Sequence, residues 1–460
     1  MIGRLQPVTK AIRSPSFRFF LGRKRSVGNL PAPGCAWTHR GGNVPVMNAS
    51  DSSGSDLNLK SSAIEPISGS LRTLCTCKTS FGTATVIDGI PPQEYETWVA
   101  GFENYTFDHR YYEIIHNSLR AQFAHYYLFL RGTDGMTRAI QPFLIVSQDI
   151  AAGTPEFVRN ALAQVRRAIP QFLKLRMLML GCPAAEGDIV LDRVSRSVSW
   201  TVNALRESLA PVARRLRAAL IVFKDYPKRY RQHLDRLCFS GYRRVPSMPA
   251  VRMDLDFLDF DDYLNTRLSY ATRKNLRRKF RKAERGLPID WEVVSDISPY
   301  VDEVYPLYRQ TLSRSKFRFQ ELTRSYFCEL GRRINDRVKF FLWRQHGRII
   351  AFACAIAHDG VLRDTYIGLD YTVALKYHLY FVTWRDTIVW ALKNGFHTYH
   401  SGPLNYDPKY HLRMALEPLD LYVRSPYGFL NPVFKSILPL LEPTRYDRII
   451  RKFANANELR

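Results

Sequence analysis

The chain has 460 residues and a mass of 53.3 kDa, more than a single typical core organises, so we expect two or three domains. Hydrophobic residues make up 46% and aromatic residues 13% of the chain, which excludes general disorder. The formal net charge of +25 predicts an anionic partner, such as a nucleic acid, a membrane surface or a phosphorylated cofactor.

Two further features set the expected cellular context. No apolar run approaches the ~18–20 residues of a membrane span, so the sequence predicts a soluble protein without a transmembrane segment. The seven cysteines are scattered, and the close pair Cys75 and Cys77 has no second pair or histidine cluster to complete a zinc site. Reduced cysteines in a cytoplasmic protein without a metal are therefore the expectation.

Residues 1–85 are rich in Ser, Gly, Pro, Arg and Lys and have no sustained hydrophobic period. The first fifty residues hold eight Lys or Arg and no acidic residue, which also fits a targeting segment or a translation start at Met47. We expect this segment to be a disordered or targeting tail, because its apolar residues form no clear amphipathic helix.

Two successive units with a similar order of elements follow the tail. The first, residues 86–255, begins with helices, continues with a hairpin around Gly132–Gly135 and then alternates helices with strands. The second, residues 256–430, begins with one long helix from Asp261 to Arg285 and continues with a meander of three strands between residues 338 and 368. Residues 431–460 are predicted to form a helical tail. Because the two units share an order of elements and little residue identity, an internal duplication of α/β units is plausible.

The predicted helix of the second unit carries the most basic stretch of the chain. Arg273, Arg277 and Arg281 fall on one row at i, i+4 and i+8, beside an apolar stripe. Such a row suits phosphates or another anionic surface, and a solvated basic face is an equally good interpretation.

The residues around 361–413 are the best candidates for chemistry. A strand, a helix ending near Gly395 and a second strand lead into a polar loop, and strand ends that open into glycine loops often carry reactive groups. Acyl transfer to an amine needs a proton acceptor, for which His400, His411 and Asp370 are candidates. It also needs a positive group near the developing oxyanion, for which Lys409 and Arg413 are candidates. Spacing alone selects none of them.

Several of these segments together resemble one known group. They are the basic helix Tyr270–Glu284, the segment Tyr366–Tyr371, the helix end Ala391–Gly395, the pair Ser401 and Gly402, and the loop Tyr406–Arg413. The combination resembles the Fem-like and BioF-like acetyltransferases of the GNAT superfamily, over about Leu255 to Arg424. The resemblance implies an α/β fold of two tandem GNAT-like domains with mixed sheets flanked by helices. Residues 86–255 would be a degenerate N-terminal domain and residues 256–430 the acyltransferase domain.

The resemblance also implies N-acyltransfer, from acyl-CoA (acetyl-CoA) as co-substrate or from aminoacyl-tRNA as in the peptidoglycan-bridge relatives. The acceptor would be the amine of a small molecule or of a cell-envelope precursor, and tRNA is a possible partner. The leading expectation is acyl-CoA, and the alternative from another class is a non-catalytic RNA- or tRNA-binding protein. The site residues expected on this basis are His400, Lys409, Asp370 and Tyr366 for catalysis, Arg273, Arg277, Arg281, Ser401 and Gly402 for the cofactor, and Tyr406, His411, Arg413 and Tyr377 for the substrate.

The chain departs from the group at two places. Pro408 stands where the bridge enzymes carry an aromatic residue before the lysine that matches Lys409. The phosphate-binding Gln/Arg-x-x-Gly-x-Gly/Ala turn of ordinary GNAT enzymes is absent after Asp370. We further expect the basic helix to face the loop around Lys409.

Overall fold

The structure is a computed structural model that describes residues 71–460, apart from 104, 152–155, 192–196, 287 and 316–317. The described residues belong to one compact unit. Residues 1–70 of the predicted tail lie outside them. None of the described helices combines the length and the apolar character needed to cross a bilayer.

The strands alternate with helices along most of the chain. In chain order the strands are β1 (Thr73–Thr79), β2 (Gly82–Ile87), β3 (Ala124–Arg131), β4 (Thr137–Asp149), β5 (Lys174–Leu180), β6 (Leu220–Pro227), β7 (Arg243–Pro246), β8 (Ala250–Asp254), β9 (Asp290–Val294), β10 (Val338–Gln345), β11 (Arg348–His358), β12 (Val361–Leu369), β13 (Thr398–Ser401), β14 (Ala415–Glu417) and β15 (Leu419–Arg424). The helices are α1 (Tyr95–Gly101), α2 (His109–Leu119), α3 (Glu156–Ala168), α4 (Val198–Arg215), α5 (Arg231–Leu234), α6 (Phe260–Thr266), α7 (Tyr270–Glu284), α8 (Val301–Arg314), α9 (Arg324–Arg333), α10 (Ala374–Tyr377), α11 (Leu379–Lys393), α12 (Tyr406–His411) and α13 (Asn431–Leu441). Short 3₁₀ turns follow α13 at Pro443–Arg445, Ile450–Lys452 and Ala456–Leu459.

The strands form two mixed sheets flanked by helices, which confirms the predicted α/β class. The first sheet has the order β1-β2-β3-β4-β5-β6-β15-β7 and the second the order β14-β8-β13-β12-β11-β10-β9. In each sheet a three-stranded antiparallel meander is followed by a helical crossover to a parallel strand, through α4 to β6 and through α10 and α11 to β13. This repeated topology supports the duplication that the element order suggested.

The sheets exchange strands at the ends of the two units. Strand β15 lies near the end of the second unit in the chain and pairs with β6 and β7 of the first sheet. Strand β8 precedes the second unit and pairs with β13 and β14 of the second sheet. The domain bounds 86–255, 256–430 and 431–460 stay predictions. Each of these two strands pairs with the sheet of the other predicted domain.

Three elements differ from the sequence-based expectation. Strands β1 and β2 form a hairpin within the last part of the predicted tail, and their residues are partly covered by α4. The helix expected from Asp261 to Arg285 is two helices, because Ser269 takes an extended conformation and its hydroxyl caps α7 at Thr272. The helix expected around 374–394 is interrupted at His378, which adopts the left-handed conformation with φ 52°.

Buried apolar residues from both sheets meet in one core. This core includes Trp98 and Tyr111 beside the first sheet and Phe340 and Phe352 of the second. A second core lies between the second sheet and helices α6, α7, α10 and α11, and a third lies between the first sheet and α4. The two sheets are therefore joined by one hydrophobic core. The second sheet, which contains β12 and β13, packs one face against this shared core and the other face against the second core.

A buried ion pair joins α2 to α9 across the core shared by the sheets. Glu113 pairs with Arg333 and accepts a hydrogen bond from the indole of Trp98 at 3.2 Å. We expect Glu113→Ala to lower the free energy of unfolding by about 3 kcal/mol, because it leaves a guanidinium that is only 19% exposed without its partner. Urea denaturation measures this loss. The matched control Glu329→Ala, which breaks the exposed pair with Arg332 on α9, is expected to cost less than about 1 kcal/mol. Equal losses in both variants would contradict the expectation.

Candidate active site

The candidate site lies where two parallel strands part. Strands β12 and β13 pair only from Val361 to Asp364 and from Thr398 to Ser401. Beyond this point β13 ends, while β12 continues to Leu369 and pairs with β11 on its other side. The far half of β12 thus presents an edge without a strand partner from β13. An edge of this kind offers backbone N–H and C=O groups to an extended ligand.

A β-bulge lies at the point where the strands part. The register between β11 and β12 shifts between the pairs of Cys354 with Tyr366 and of Ala355 with Asp364. Cys354 belongs to the core shared by the two sheets, whereas Ala355 belongs to the core beneath α7 and α11. Asp364 and Tyr366 therefore lie on opposite faces of the sheet, because directly paired residues share a face.

Three polar side chains meet on the face of Asp364. The Tyr399 hydroxyl donates a hydrogen bond to Asp364 Oδ2 at 2.7 Å. Lys409 is buried, and its ammonium donates to the carbonyl oxygens of Gly402 at 2.5 Å and Leu404 at 2.9 Å. Burial raises the pKa of Asp364 to about 6, opposed by the hydrogen bond from Tyr399. Burial lowers the pKa of Lys409 to about 8, opposed by the negative charge of Asp364. Both groups change charge close to neutral pH, which is characteristic of functional sites.

The loop between Ser401 and α12 has an unusual backbone. Leu404 and Asn405 are consecutive non-glycine residues with positive φ angles of 76° and 52°. Such conformations cost about 1–3 kcal/mol each and persist where surrounding contacts impose them. The two carbonyl contacts of Lys409 supply such a constraint within this loop. Lys409 and the segment that follows β13 are consequently held in one arrangement.

His400 lies on the opposite face of β13 and is 7% exposed. Its Nδ1 lies 2.9 Å from Glu417 Oε2 on β14 and 3.3 Å from Arg363 Nη1 on β12. The Glu417 carboxylate only accepts and favours a proton on Nδ1, whereas the Arg363 guanidinium only donates and favours a proton on Nε2. The contact with Glu417 is the shorter one, so we assign the proton to Nδ1, which makes Nε2 the basic nitrogen. Arg363 Nη1 also donates to Glu186 at 3.0 Å, so a residue of the first unit enters the same cluster.

The other two residues expected to be catalytic lie in structural surroundings. Asp370 is buried, and its Oδ1 accepts hydrogen bonds from the backbone N–H (3.0 Å) and the hydroxyl (2.6 Å) of Thr372. Its Oδ2 lies 3.1 Å from Arg348. Tyr366 packs edge-on against Tyr326, and its hydroxyl accepts from Gln320 at 3.3 Å. Neither residue contacts the cluster of Asp364, and a catalytic role for either stays a prediction.

The residues expected to bind substrate are divided between core and surface. Tyr377 is buried against Gly286, and Tyr406 is buried with its hydroxyl donating to Pro249 O at 2.7 Å. His411 is exposed and lies 3.8 Å from Asp407. Arg413 has a positive φ of 56° and follows Leu412. Substrate binding by these residues stays a prediction.

The basic row of α7 is partly tied to α6. Arg273 donates to Asn265 O at 3.1 Å, and Arg277 to Asn265 Oδ1 at 3.2 Å. Arg281 donates weakly to Arg277 O at 3.4 Å. It is α6 that contacts the loop near Lys409, through the hydroxyl of Tyr263 and Leu412 O at 2.7 Å. That the arginine row faces the loop stays a prediction.

Other cations of α7 gather at the start of α11. Burial lowers the pKa of His378, and the nearby charges of Lys282, Lys279 and Arg278 lower it further. Lys279 also lies 3.4 Å from the centre of the Phe381 ring. This cluster provides positive charge beside the helix that follows β12.

Sequence reasoning missed four residues that the fold brings to the site: Asp364, Arg363, Glu417 and Glu186. The sequence contains one signal for Asp364 and Arg363, because these two adjacent charged residues interrupt the apolar run of a central strand. Glu417 lies on β14 and Glu186 lies in the loop after β5, and only the tertiary fold brings them to His400 and Arg363.

Comparisons with known proteins agree with the motifs. Residues 246–404 match the model of the FemAB-like family, described as peptidoglycan biosynthesis/recognition. This match confirms the resemblance to the Fem-like group and covers the two parting strands. Over 276 residues the chain is 21% identical to a putative 8-amino-7-oxononanoate synthase 2 of Mycobacterium tuberculosis, and this stretch covers 59% of the chain. The chain spans about a third (35%) of the length of the curated relatives it matches.

Solved structures provide further similarities of low score. FemX is 12% identical with a TM-score of 0.46, covering 76% of this chain and 98% of that one. A structure described as L-PGS from Bacillus licheniformis is 14% identical with a TM-score of 0.45, covering 77% of this chain and 97% of that one. A tandem GNAT protein from the clavulanic acid biosynthesis pathway is 8% identical with a TM-score of 0.38, covering 66% and 84%.

Proposed function

From the Fem-like match of residues 246–404, we propose that the chain is an N-acyltransferase that moves an acyl group from acyl-CoA to an amine. The observation that carries the proposal is the parting of β12 and β13 at Asp364 and Ser401, beside the buried Lys409. The opening provides a place for an extended donor between two strands. At this opening Asp364 and Lys409 lie on one face of the sheet and His400 lies on the other, so that the donor and the acceptor approach from different faces.

The donor fits the site in part. The amide-bearing arm of coenzyme A suits the edge of β12 between Asp364 and Gly368, because both present alternating N–H and C=O groups. The next N–H on the strand, that of Leu369, is already bonded to the Thr311 hydroxyl at 3.2 Å. The turn after β12 is less suited to phosphate, since the carboxylate of Asp370 already accepts from the N–H and hydroxyl of Thr372. The cations Arg278, Lys279 and Lys282 around His378 are the nearer choice for the donor's phosphates.

The reaction assigns distinct tasks to His400 and Lys409. The amine nitrogen forms a bond to the acyl carbonyl carbon, the carbon–sulfur bond of the thioester breaks, and the amine loses one proton. We assign that proton to His400 Nε2, with Glu417 fixing the ring through Nδ1. The departing thiolate then takes a proton, which balances the transfer. Lys409 holds the loop at the end of β13 through its two carbonyl contacts and its attraction to Asp364.

An aminoacyl-tRNA donor is the alternative, and α7 is the feature that favours it. Lys274, Arg277, Arg278, Arg281 and Lys282 are exposed on this helix. A basic helix face of this kind suits a phosphate backbone, and binding through it weakens steeply with salt. The acceptor in that case would be the amine of a cell-envelope precursor, as in the bridge-forming relatives. A non-catalytic RNA-binding protein would use the same face without any donor.

Calorimetric titration of the full chain with acetyl-CoA, longer acyl-CoAs and charged tRNA separates these donors. We expect a CoA ester to bind within the range typical of substrates, ~1 μM to 1 mM. Gly402→Leu provides a site-specific test, because a side chain there meets nothing within 4 Å and would project into open space at the end of β13. It should abolish CoA-ester binding without lowering the melting temperature.

Gly428→Leu is the matched control, since a side chain at that glycine also meets nothing within 4 Å and lies in the C-terminal turn before α13. It is expected to bind the CoA ester as the parent chain does. If charged tRNA binds and no CoA ester binds, aminoacyl-tRNA replaces acyl-CoA as the proposed donor. Salt-dependent RNA binding with no donor of either kind would contradict transferase activity.

A further inference from the structure

Helix α13 presents an exposed apolar strip beside the face that it buries. Its Phe434 and Leu438 pack into the core shared by the two sheets. Val433, Ile437 and Leu440 are spaced at i, i+4 and i+7, which places them on an adjacent strip of the same helix. Val433 is 52% and Leu440 is 54% exposed, so the fold buries only part of the apolar surface of α13.

Two phenylalanines extend this strip beyond the start of α13. Phe429, four residues before Val433, is 79% exposed in the turn that leads into the helix. Phe239 is 94% exposed, and a Cβ at Gly241, two residues later, would lie 3.4 Å from the side-chain nitrogen of Asn431 on α13. Phe239, Phe429, Val433 and Leu440 together form the apolar patch. Exposed apolar side chains that gather in this way mark an interaction surface.

Basic side chains lie at both ends of the apolar patch. At the first end, Arg214 Nη1 donates to the carbonyl oxygen of Pro426 at 3.1 Å. At the other end, Arg445 Nη1 donates to the carbonyl oxygen of Pro439 at 3.1 Å, next to Leu440. Residues 427–452 contain five Lys or Arg and two acidic residues. All five basic residues are exposed: Lys435, Arg445, Arg448, Arg451 and Lys452.

The acidic residues of this region are engaged in local contacts. Glu442 accepts a hydrogen bond from the Thr444 hydroxyl at 2.5 Å, and Asp447 accepts one from the backbone N–H of Ile449 at 2.8 Å. Among the described residues, none of the five basic side chains of 427–452 pairs with a carboxylate. The positive charge around the apolar patch is therefore available to an anionic partner.

An anionic lipid bilayer satisfies both halves of this surface. Acyl chains accommodate the apolar patch, and lipid phosphates lie level with the surrounding cations. A nucleic acid would engage the cations, but the aliphatic Val433 and Leu440 cannot stack on its bases. A second copy would cover the apolar patch, but a two-fold interface would also bring two sets of like charges together.

We propose that α13 and the apolar patch bind the surface of an anionic lipid bilayer. The contact uses none of the residues assigned to acyl transfer and requires neither a donor nor an acceptor. The inference thus goes beyond the proposed function, and each can fail without the other.

Vesicle flotation of the full chain tests the inference. Vesicles of phosphatidylcholine and phosphatidylglycerol in equal parts are compared with vesicles of phosphatidylcholine alone. We expect at least about 10-fold tighter binding to the mixed vesicles, since each Lys or Arg near a charged surface contributes roughly fivefold. Arg448→Gln combined with Lys452→Gln should remove about 10-fold of this preference. Added salt should weaken binding to the mixed vesicles, because it screens these charges.

The apolar half of the surface is tested by Phe429→Ser combined with Leu440→Ser. Loss of these two side chains should weaken binding to the mixed vesicles by at least about 10-fold. Because both side chains are exposed, the melting temperature should not fall. Met136→Ser combined with Leu258→Ser is the matched control, since it removes two exposed apolar side chains outside the apolar patch and should leave binding unchanged.

Three results would overturn the inference. The first is failure of the parent chain to bind the mixed vesicles. The second is unchanged binding in Phe429→Ser/Leu440→Ser, which would assign the lipid contact to another basic surface such as α7. The third is a dimer in sedimentation equilibrium that this double variant dissociates, without vesicle binding, which would assign the apolar patch to a second copy. If the double variant does not fold, Phe429→Ser alone decides, with a loss of about 5-fold expected.

Discussion

His400→Gln is expected to lower kcat for amide formation by about 100-fold or more, the usual contribution of a positioned general base. The ring is buried on β13, and its Nδ1 faces Glu417 at 2.9 Å, which leaves Nε2 to accept the amine proton. Glutamine preserves much of the volume and can still donate to Glu417, so the melting temperature should change little. The measurement is release of free thiol from an acyl-CoA in the presence of an amine.

Two variants define what the His400 result means. Glu417→Gln keeps the imidazole and removes the charge that orients it, so a smaller loss of kcat with an altered pH profile is expected. His397→Gln changes an exposed histidine three positions earlier whose ring lies beside Thr398 and over Gly360, and activity should persist. Full activity of His400→Gln in a folded protein would remove His400 from the mechanism and leave its burial as a packing feature.

The meander of the second sheet could be predicted because its signals are local. His346 with Gly347 and Asp359 with Gly360 form the two turns, and all four residues have positive φ angles. Such a pair of left-handed residues is what a tight hairpin turn requires, and the residue types already favour it. The strand bounds then follow from the apolar runs on either side.

The strand exchange could not be predicted in this way. Strand β15 has the same apolar pattern whether it pairs within the second sheet or returns to β6, and only tertiary packing selects its partner. The same reasoning applies to the breaks at Ser269 and His378. The apolar stripe continues past both residues, so periodicity predicts uninterrupted helices where a cap and a left-handed residue end them.

The residues of the candidate site that lie on one short segment of the chain could be predicted. His400 lies at a strand end that leads into Gly402, and Lys409 lies in the loop that follows, and both features are visible in the sequence. Their partners Glu417 and Asp364 come from strands on either side of β13, so they depend on sheet order. Asp370 attracted attention as a polar residue at a strand end, and the structure explains it equally well as the cap of the following turn.

The charge state of Asp364 and Lys409 is expected to control activity through the loop at residues 402–411. Their pKa values of about 6 and about 8 bracket neutral pH, so both are charged only between these values. In that interval the carboxylate attracts the ammonium that holds Gly402 and Leu404. We therefore expect kcat/KM to rise with an apparent pKa near 6 and to fall with one near 8, the two values belonging to the pair.

The same two pKa shifts lower the stability of the folded protein in the pH interval where we expect activity. Asp364 has its pKa raised above the usual 3.8, so its contribution to the free energy of unfolding is present below 3.8 and lost as the pH rises through about 6. Lys409 has its pKa lowered from the usual 10.5, so its contribution is present above 10.5 and lost as the pH falls through about 8. The charged pair is therefore maintained at a cost to stability in the interval where we expect activity.

Asp364→Asn separates the two limbs of the pH profile. The contribution of Asp364 to the acidic limb should be lost, and the alkaline limb should move to lower pH, because the carboxylate that raises the pKa of Lys409 is gone. Urea denaturation should at the same time show a smaller change in the free energy of unfolding between pH 5 and 7 than in the parent chain. An acidic limb that is unchanged in Asp364→Asn would assign it to another group. An alkaline limb that stays in place would show that Lys409 does not act through Asp364, and would leave its two carbonyl contacts as the whole of its role.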